Sequence, residues 1–214
     1  MILIFDASIE GFTVGLFQPD GKLLHQITNE DAYSHTQWLV PTIQQLLKHC
    51  DINFKQLNKI ITTKGPGSFT GIRVGLATAA GFQAALNIPV IAVNTLTALS
   101  YAWLETAQKT SPIFHTVLDT KCKEVYHQTY NFTGEHITAQ TEPVSIPLDQ
   151  LKEIATDELI ITHPTSAVLL KDMPITTTPL TLTGILKASH NIQPSDLQPL
   201  YVRPANVAQP KKLA

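Results

Sequence analysis

Apolar and polar residues alternate with the period of β-strands over the first 28 positions. Residues 2–5 are apolar and end at Asp6, residues 12–17 alternate, and residues 22–28 resume an extended pattern. Pro19-Asp20-Gly21 between the last two segments is a turn signal. This pattern predicts an antiparallel meander of three strands.

The period changes to that of a helix after residue 33. Ser34-His35-Thr36-Gln37 has the form of a capping box, in which a serine and a glutamine satisfy the first amides of a helix. Pro41 lies inside this pattern, so we expect the helix either to kink there or to begin near Val40. The apolar positions fall on one face, at Leu39, Ile43, Leu46, Leu47 and Cys50.

A strand, a glycine-rich loop, a helix and a second strand follow in about 35 residues. The strands are expected at residues 59–63 and 89–93, with a long apolar helix from about 70 to 86 between them. Such a crossover implies a parallel pair of strands. A further helix is expected from residue 95 to about 109.

The second half of the chain opens like the first. Residues 113–118 are apolar and end at Asp119, and residues 124–132 form a strand pattern before a turn at Gly134. Asp6 and Gly21 are 15 positions apart (21 − 6), and so are Asp119 and Gly134 (134 − 119). Any two β-meanders share this order, but the matched spacing favours an internal duplication.

The second half then shortens. It has a strand at 159–162, one or two short helices between 165 and 190, and a proline-rich end from 194 to 214. We therefore expect two lobes, residues 1–110 and a smaller, truncated lobe at 111–214.

Composition excludes several classes of protein. The chain has 214 residues, and the fact that 43% of them are apolar excludes a disordered chain. Its 17 acidic and 15 basic side chains leave no basic excess, which argues against unaided nucleic-acid binding. Two cysteines cannot form a disulfide framework. The start of the chain lacks a signal-peptide pattern, and polar residues interrupt the most apolar stretch, 74–93. We expect a reduced, soluble, cytoplasmic protein without a membrane span.

The loop Gly65-Pro66-Gly67-Ser68-Phe69-Thr70-Gly71 precedes the long helix. A helix N-terminus presents free amides that suit an anion. The loop is not a P-loop, because no lysine follows its last glycine, and Thr70 stands where a dinucleotide fingerprint has its third glycine. The glycines therefore either bind an anion or let the loop and helix pack closely.

The helix at 72–86 is apolar almost all round. Only Arg73, Thr78 and Gln83 interrupt it, and small residues recur four apart, as at Ala77 and Gly81. We predict that its outward face, with that of the helix at 34–50, packs against another protein chain; the alternative is a fully internal helix. The predicted interface residues are His35, Trp38, Leu39, Thr42, Arg73, Ala77, Ala80, Gly81 and Ala84.

Several segments together resemble the bacterial TsaB (YeaZ) family. They are GPGSFTGIRVG (65–75), HTQWLVPTI (35–43), VNTLTAL (93–99), LDTKCKEVY (118–126) and PLYVRPANVAQPKK (199–212). The resemblance implies the duplicated α/β fold of the actin/hexokinase-like (ASKHA) proteins, with mixed sheets flanked by helices and a shortened second lobe.

The resemblance also implies a function. TsaB proteins help to make N6-threonylcarbamoyladenosine at position 37 of tRNAs that read codons beginning with A. They bind the catalytic paralogue TsaD and support its transfer of the threonylcarbamoyl group from threonylcarbamoyl-adenylate, and the ATPase TsaE joins the pair. We accordingly expect a non-catalytic subunit (a pseudoenzyme) that contacts tRNA only through the complex and can form a homodimer when alone. We expect no cofactor of its own, and ATP or ADP only in the assembled complex.

The residues also bear on catalysis. Among eight histidines the closest two are nine positions apart (136 − 127), so no helix presents the His-x-x-x-His metal pair of catalytic relatives. We therefore expect neither a metal site nor peptidase activity. Only two of ten glycines, Gly134 and Gly184, lie beyond Gly81, too few for an actin-like nucleotide cradle in the second lobe.

Two points stay open at this level. The candidate residues of a vestigial anion or nucleotide site are Asp6, Ser8, Gly65, Gly67, Ser68 and Gly71. The alternative function is that of a small ATP-dependent phosphotransferase or ATPase that uses these residues. The family usually has Asp-Thr-Ser/Thr where this chain has Asp6-Ala7-Ser8. The tail residues Tyr201, Arg203, Lys211 and Lys212 either contact the partner or tRNA or form a frayed end.

Overall fold

A mixed five-stranded sheet forms the first lobe of the computed structural model. The structure describes residues 1–31, 34–107, 111–134, 136–156, 158–190, 192–194 and 197–202. The strands of the first sheet are β1 (Ile2–Asp6), β2 (Phe12–Phe17), β3 (Leu23–Asn29), β4 (Lys59–Thr63) and β5 (Val90–Val93). Their order is β3-β2-β1-β4-β5, with an antiparallel meander on one side and parallel pairs on the other. The predicted meander and crossover are confirmed.

The second sheet repeats this topology. Its strands are β6 (Ile113–Asp119), β7 (Glu124–Phe132), β8 (Ile137–Ala139), β9 (Val144–Pro147), β10 (Leu159–Thr162) and β11 (Ile175–Thr177). The order β8-β7-β6-β10-β11 matches that of the first sheet, with the same antiparallel and parallel pairs, and β9 is an addition on β7. The internal duplication and the actin/hexokinase-like fold are therefore confirmed, and Asp6 and Asp119 end equivalent strands.

Five α-helices among the described residues cover the sheets. They are α1 (His35–His49), α2 (Phe69–Leu86), α3 (Thr95–Leu104), α4 (Leu148–Ile154) and α5 (Leu182–Ala188). One face of the first sheet packs against α1 and α2, and α4 packs on the outer face of the second sheet.

Each of the other two helices packs against the sheet of the opposite lobe. Leu96 and Trp103 of α3 pack with Phe114 of the second sheet, whereas Ile185 of α5 packs with Ile4 of the first. The strands of the two sheets lie on either side of residue 110 in the sequence, but α5 comes from the second segment and covers the first sheet. Because each segment completes the core of the other, the two lobes share one folding unit.

The second lobe is shorter because its counterpart of α2 is nearly absent. Between β4 and β5 the chain forms the 18-residue helix α2, but between β10 and β11 it forms only a 3-10 turn at Pro164–Ser166 and further turns. Although α2 is long and apolar, no helix within the described ranges meets the length and hydropathy needed to span a bilayer.

Helix α1 starts at the position that the capping-box pattern predicts, but its N-terminal cap differs from the prediction. The helix begins at His35 and continues through Pro41. The predicted capping box does not form, because Ser34 Oγ donates to the carbonyl oxygen of Asp31 at 2.6 Å and makes no cap hydrogen bond to the helix. The third helix also ends earlier than predicted, at Leu104 rather than near 109.

Candidate partner-binding face and interlobe cleft

The outward side of α2 is an exposed stripe of small residues. Ile72, Leu76 and Ala79 are buried against the sheet, while Arg73, Ala77, Ala80, Gly81 and Ala84 are exposed. A Cβ atom added at Gly81 would meet nothing within 4 Å. The helix is thus apolar on both sides but covered on only one, which contradicts the alternative of a fully internal helix.

Helix α1 lies beside α2 and adds larger side chains to this surface. Trp38 is 48% exposed and Val40 is 40% exposed, far more than most large apolar side chains of the chain. We call the exposed residues of α1 and α2 the docking face. On α2 this face consists mainly of alanine and glycine, whereas the exposed residues of α1 also include polar side chains such as Gln37, Gln44 and Lys48.

Three residues assigned to the interface from sequence do not belong to the docking face. His35, Leu39 and Thr42 are 4%, 1% and 8% exposed, because the stripe that they form points at β2 and the sheet core. The ring of His35 lies near that of Phe12, with 6.3 Å between the centroids. The sequence assignment was wrong here because it took residues from the core stripe of an amphipathic helix.

The end of the described chain returns to the first turn of α2. The amide of Leu200 donates to the carbonyl oxygen of Lys64 at 2.7 Å, and Arg73 Nε donates to the Tyr201 hydroxyl at 2.6 Å. Tyr201 is therefore packed against the docking face and is not a frayed end. Arg203, Lys211 and Lys212 lie outside the described residues.

A cleft of about 530 Å³ separates the lobes. The turns that follow β1 and β6 form its floor, with Ser8 and Asp119, and Phe69, Tyr126 and Tyr201 contribute aromatic walls. Its volume lies within the range of small-molecule sites.

Asp6 is held at the end of β1 by three donors. Its Oδ1 accepts from the Ser8 amide at 3.1 Å, from Ser8 Oγ at 2.6 Å and from Thr63 Oγ1 at 2.5 Å. This arrangement is an Asx turn with two additional hydroxyl donors, and it stabilises the turn at the floor of the cleft.

The glycine-rich loop packs against this same turn. A Cβ atom at Gly67 would lie 2.0 Å from the Ser8 carbonyl oxygen, and one at Gly71 would lie 1.8 Å from that of Ala7. Gly67 also has a positive φ of 153°. The Ser68 amide donates to the Ser8 carbonyl oxygen at 2.6 Å, and the Gly71 amide donates to Ser68 Oγ at 3.2 Å. The loop thus uses at least two of its amides internally, and its glycines permit close packing; Gly65 lies next to Leu200.

Charges in the cleft are largely balanced. Lys121 Nζ lies 3.7 Å from Asp119 Oδ2 and 3.9 Å from Glu10 Oε1, so it bridges the two lobes. Burial lowers the pKa of His163, while the nearby Asp6 and Glu10 carboxylates act in the opposite direction.

A histidine pair that the linear spacing did not reveal lies in the second lobe. His115 Nδ1 and His127 Nε2 are 2.8 Å apart, both rings are buried, and His115 Nε2 also contacts Glu158. Burial, with a smaller contribution from His115, lowers the pKa of His127 to about 4. The hairpin register places His115 diagonal to His127, so the turn position could have indicated this pair. In the described part of the chain no group of three or more His, Cys, Asp or Glu residues could hold a metal ion.

Comparison with known proteins identifies the family. The family model described as TsaD, tRNA N6-adenosine threonylcarbamoyltransferase, matches residues 22–188. The tRNA threonylcarbamoyladenosine biosynthesis protein TsaB of Bacillus subtilis (strain 168) is 31% identical over 204 residues, which cover 92% of this chain and 84% of that protein. The chain belongs to the TsaB family. TsaB of Buchnera aphidicola subsp. Baizongia pistaciae is 38% identical over 96 residues, so the chain matches only 42% of that relative's length.

A solved structure shares the fold of this TsaB-family chain. The Pseudomonas aeruginosa protein described as similar to peptidase YeaZ superposes with a TM-score of 0.78 at 21% identity. The match covers 94% of this chain and 99% of that one.

Proposed function

We propose that this chain is a non-catalytic subunit in tRNA threonylcarbamoyladenosine biosynthesis that binds the catalytic paralogue TsaD through the docking face and supports threonylcarbamoyl transfer to adenosine 37. The observation that carries the proposal is the uncovered apolar side of α2. The B. subtilis relative of this chain is described as a tRNA threonylcarbamoyladenosine biosynthesis protein. This similarity supports a role of the chain in the same pathway.

The chemistry of the docking face suits a second helical layer. Alanine and glycine at Ala77, Ala80, Gly81 and Ala84 let another helix approach to an interaxial distance of about 8 Å, the short end of the usual range. A paralogue that shares the fold can present the same two helices, which gives a four-helix contact. A standard specific interface of this kind buries about 1,600 Å² in total.

Binding supports catalysis only if it favours one state of the partner. The subunit stabilises the competent conformation of TsaD to the extent that it binds that conformation more tightly than others. Without TsaD, the same apolar face allows a two-fold homodimer. TsaE joins the assembled pair in the cytoplasm. The chain contacts tRNA only through this complex, and ATP or ADP binds only to the assembled complex.

The cleft geometry supports a non-catalytic role. Asp6 Oδ1 already accepts three hydrogen bonds, amides of the glycine-rich loop bond within the protein, and Lys121 lies between Glu10 and Asp119. A phosphate would have to displace these internal contacts. The phosphotransferase alternative is the outcome if the isolated chain hydrolyses ATP and Asp6→Ala abolishes that turnover.

The decisive experiment places arginine on the stripe. Gly81→Arg and Ala80→Arg should abolish binding to purified TsaD and the modification of tRNA by TsaD and TsaE, because a long cation cannot fit between closely packed helices. Ala139→Arg, which changes an exposed alanine of β8, is the matched control and should keep both activities. Full modification by Gly81→Arg would refute the interface.

A further inference from the structure

The N-terminal end of the docking face carries a cluster of two aromatic rings and one guanidinium. The Arg73 guanidinium carbon lies 3.8 Å from the centroid of the Phe69 ring and 5.6 Å from that of Tyr201, and the two rings are 5.5 Å apart. All three residues are exposed. We propose that Arg73 is a pre-positioned anchor that binds a carboxylate of the protein partner, and that Phe69 and Tyr201 hold it in place; this rests on the proposed function.

The cluster continues the exposed stripe. Phe69, Arg73, Ala77, Ala80 and Ala84 follow one another at intervals of four, four, three and four residues, so they lie along one side of α2. At a rise of 1.5 Å per residue, the stripe is about 22 Å long. A helix packed along the small residues would therefore bring side chains of the partner close to Arg73.

The guanidinium is held in place before binding. Arg73 Nε donates to the Tyr201 hydroxyl at 2.6 Å, and the side chain lies over the Phe69 ring. An arginine that is already ordered loses less conformational freedom when a ligand arrives, and its planar fork matches a carboxylate.

The Arg73 guanidinium has no carboxylate partner in the described ranges. Arg73 is the only charged residue of α2, and no described carboxylate lies within ion-pair distance of it. The bond through Nε leaves the terminal guanidinium nitrogens for a carboxylate on the partner. Arginine combined with exposed aromatic rings is also the composition of binding hot spots.

Charge complementarity favours a different protein over a second copy of this chain. Neither α1 nor α2 contains an aspartate or a glutamate. A two-fold dimer pairs the same surface patch from both copies, so these helices cannot supply a carboxylate to Arg73. We therefore assign the anchor to heteromeric binding, where it discriminates between the two partners of the face.

The test measures the dissociation constant for purified TsaD with the full chain. Arg73→Met should weaken binding at least about tenfold and reduce its salt dependence. The affinity of Arg73→Lys should lie between that of Arg73→Met and that of the unmodified chain. Tyr201→Phe should weaken binding about twofold to fivefold. Lys171→Met, which removes an exposed charge elsewhere, should bind like the unmodified chain. Self-association of the isolated chain, followed by sedimentation, should not weaken in Arg73→Met.

Two results would overturn the inference. Binding of Arg73→Met to TsaD within twofold of the unmodified chain would exclude the anchor, and so would an equal loss of partner binding and self-association. If Gly81→Arg abolishes TsaD binding while Arg73→Met does not, only this inference fails. If Gly81→Arg also binds normally, the proposed function fails.

Discussion

Replacing glycine by alanine at two helical positions should change stability in opposite directions. Gly184 of α5 lies where this helix crosses α3. An alanine Cβ there would lie 2.7 Å from the Ala98 carbonyl oxygen, 2.8 Å from the Ala102 amide nitrogen and 2.9 Å from the Ala102 Cβ. The same substitution at Gly81 meets nothing within 4 Å.

The magnitudes follow from two opposing terms. Alanine is favoured over glycine in a helix interior by about 1 kcal/mol, and this is the whole effect expected for Gly81→Ala. Overpacking costs about 1–3 kcal/mol, and the upper part of that range applies at Gly184 because two of the three contacted atoms are backbone. Gly184→Ala should therefore destabilise the chain by about 1–2 kcal/mol in net terms.

Urea denaturation of the isolated chain, monitored by circular dichroism at a concentration where it is monomeric, measures both free energies, and thermal denaturation under the same conditions measures Tm. For a chain of this size, Gly184→Ala should lower Tm by about 2–8 °C and Gly81→Ala should raise it by about 2–4 °C. A Gly184→Ala variant as stable as the unmodified chain would refute the close crossing of α3 and α5. Destabilisation by Gly81→Ala would mean that the docking face is covered in the isolated chain.

Three further changes test individual contacts. The pKa of His127 is lowered from 6.5 to about 4, so the unfolded chain takes up a proton first and stability should fall as the pH drops from 6.5 to 4. Urea titrations should show a loss of about 2 kcal/mol between pH 7.5 and 5, and His127→Gln should remove most of it. Asn87 ends α2 with a positive φ of 53°, so Asn87→Ala should lower the free energy of unfolding by about 1 kcal/mol while Asn87→Gly should not. Asp6→Ala leaves the Ser8 and Thr63 donors unpaired and should destabilise by about 1–3 kcal/mol, yet tRNA modification per folded molecule should be unchanged.

Periodic segments and matched turns made most of the fold predictable. The strand at Glu124–Phe132 and the strand at Lys59–Thr63 appear at the predicted positions, because alternation and flanking turns are local signals. Helix α4 and strand β11 were missed: α4 has seven residues and β11 has three, which is too short for a clear period.

The candidate site was predictable only where exposure follows from the sequence. The stripe through Ala77 and Ala84 was recognised because a helix that is apolar all round must meet a second layer. The contact of Tyr201 with Arg73 joins residues 128 positions apart, and no local pattern reports such a contact. The packing of α3 and α5 on the sheet of the opposite lobe likewise depends on tertiary contacts.

The composition of the docking face fits the proposed role of a chain that folds alone and then binds a partner. An exposed alanine leaves much less apolar area in contact with water than an exposed leucine, because the apolar free energy scales with area at about 25 cal/mol per Å². A stripe such as Ala77, Ala80 and Ala84 therefore adds little affinity by area, and its value lies in the close approach that it permits. Affinity and discrimination must then come from the few large exposed groups at its margins, Trp38 and the Phe69–Arg73–Tyr201 cluster. Truncating one of these groups should accordingly weaken partner binding more than Ala77→Ser or Ala84→Ser, which keep the stripe narrow.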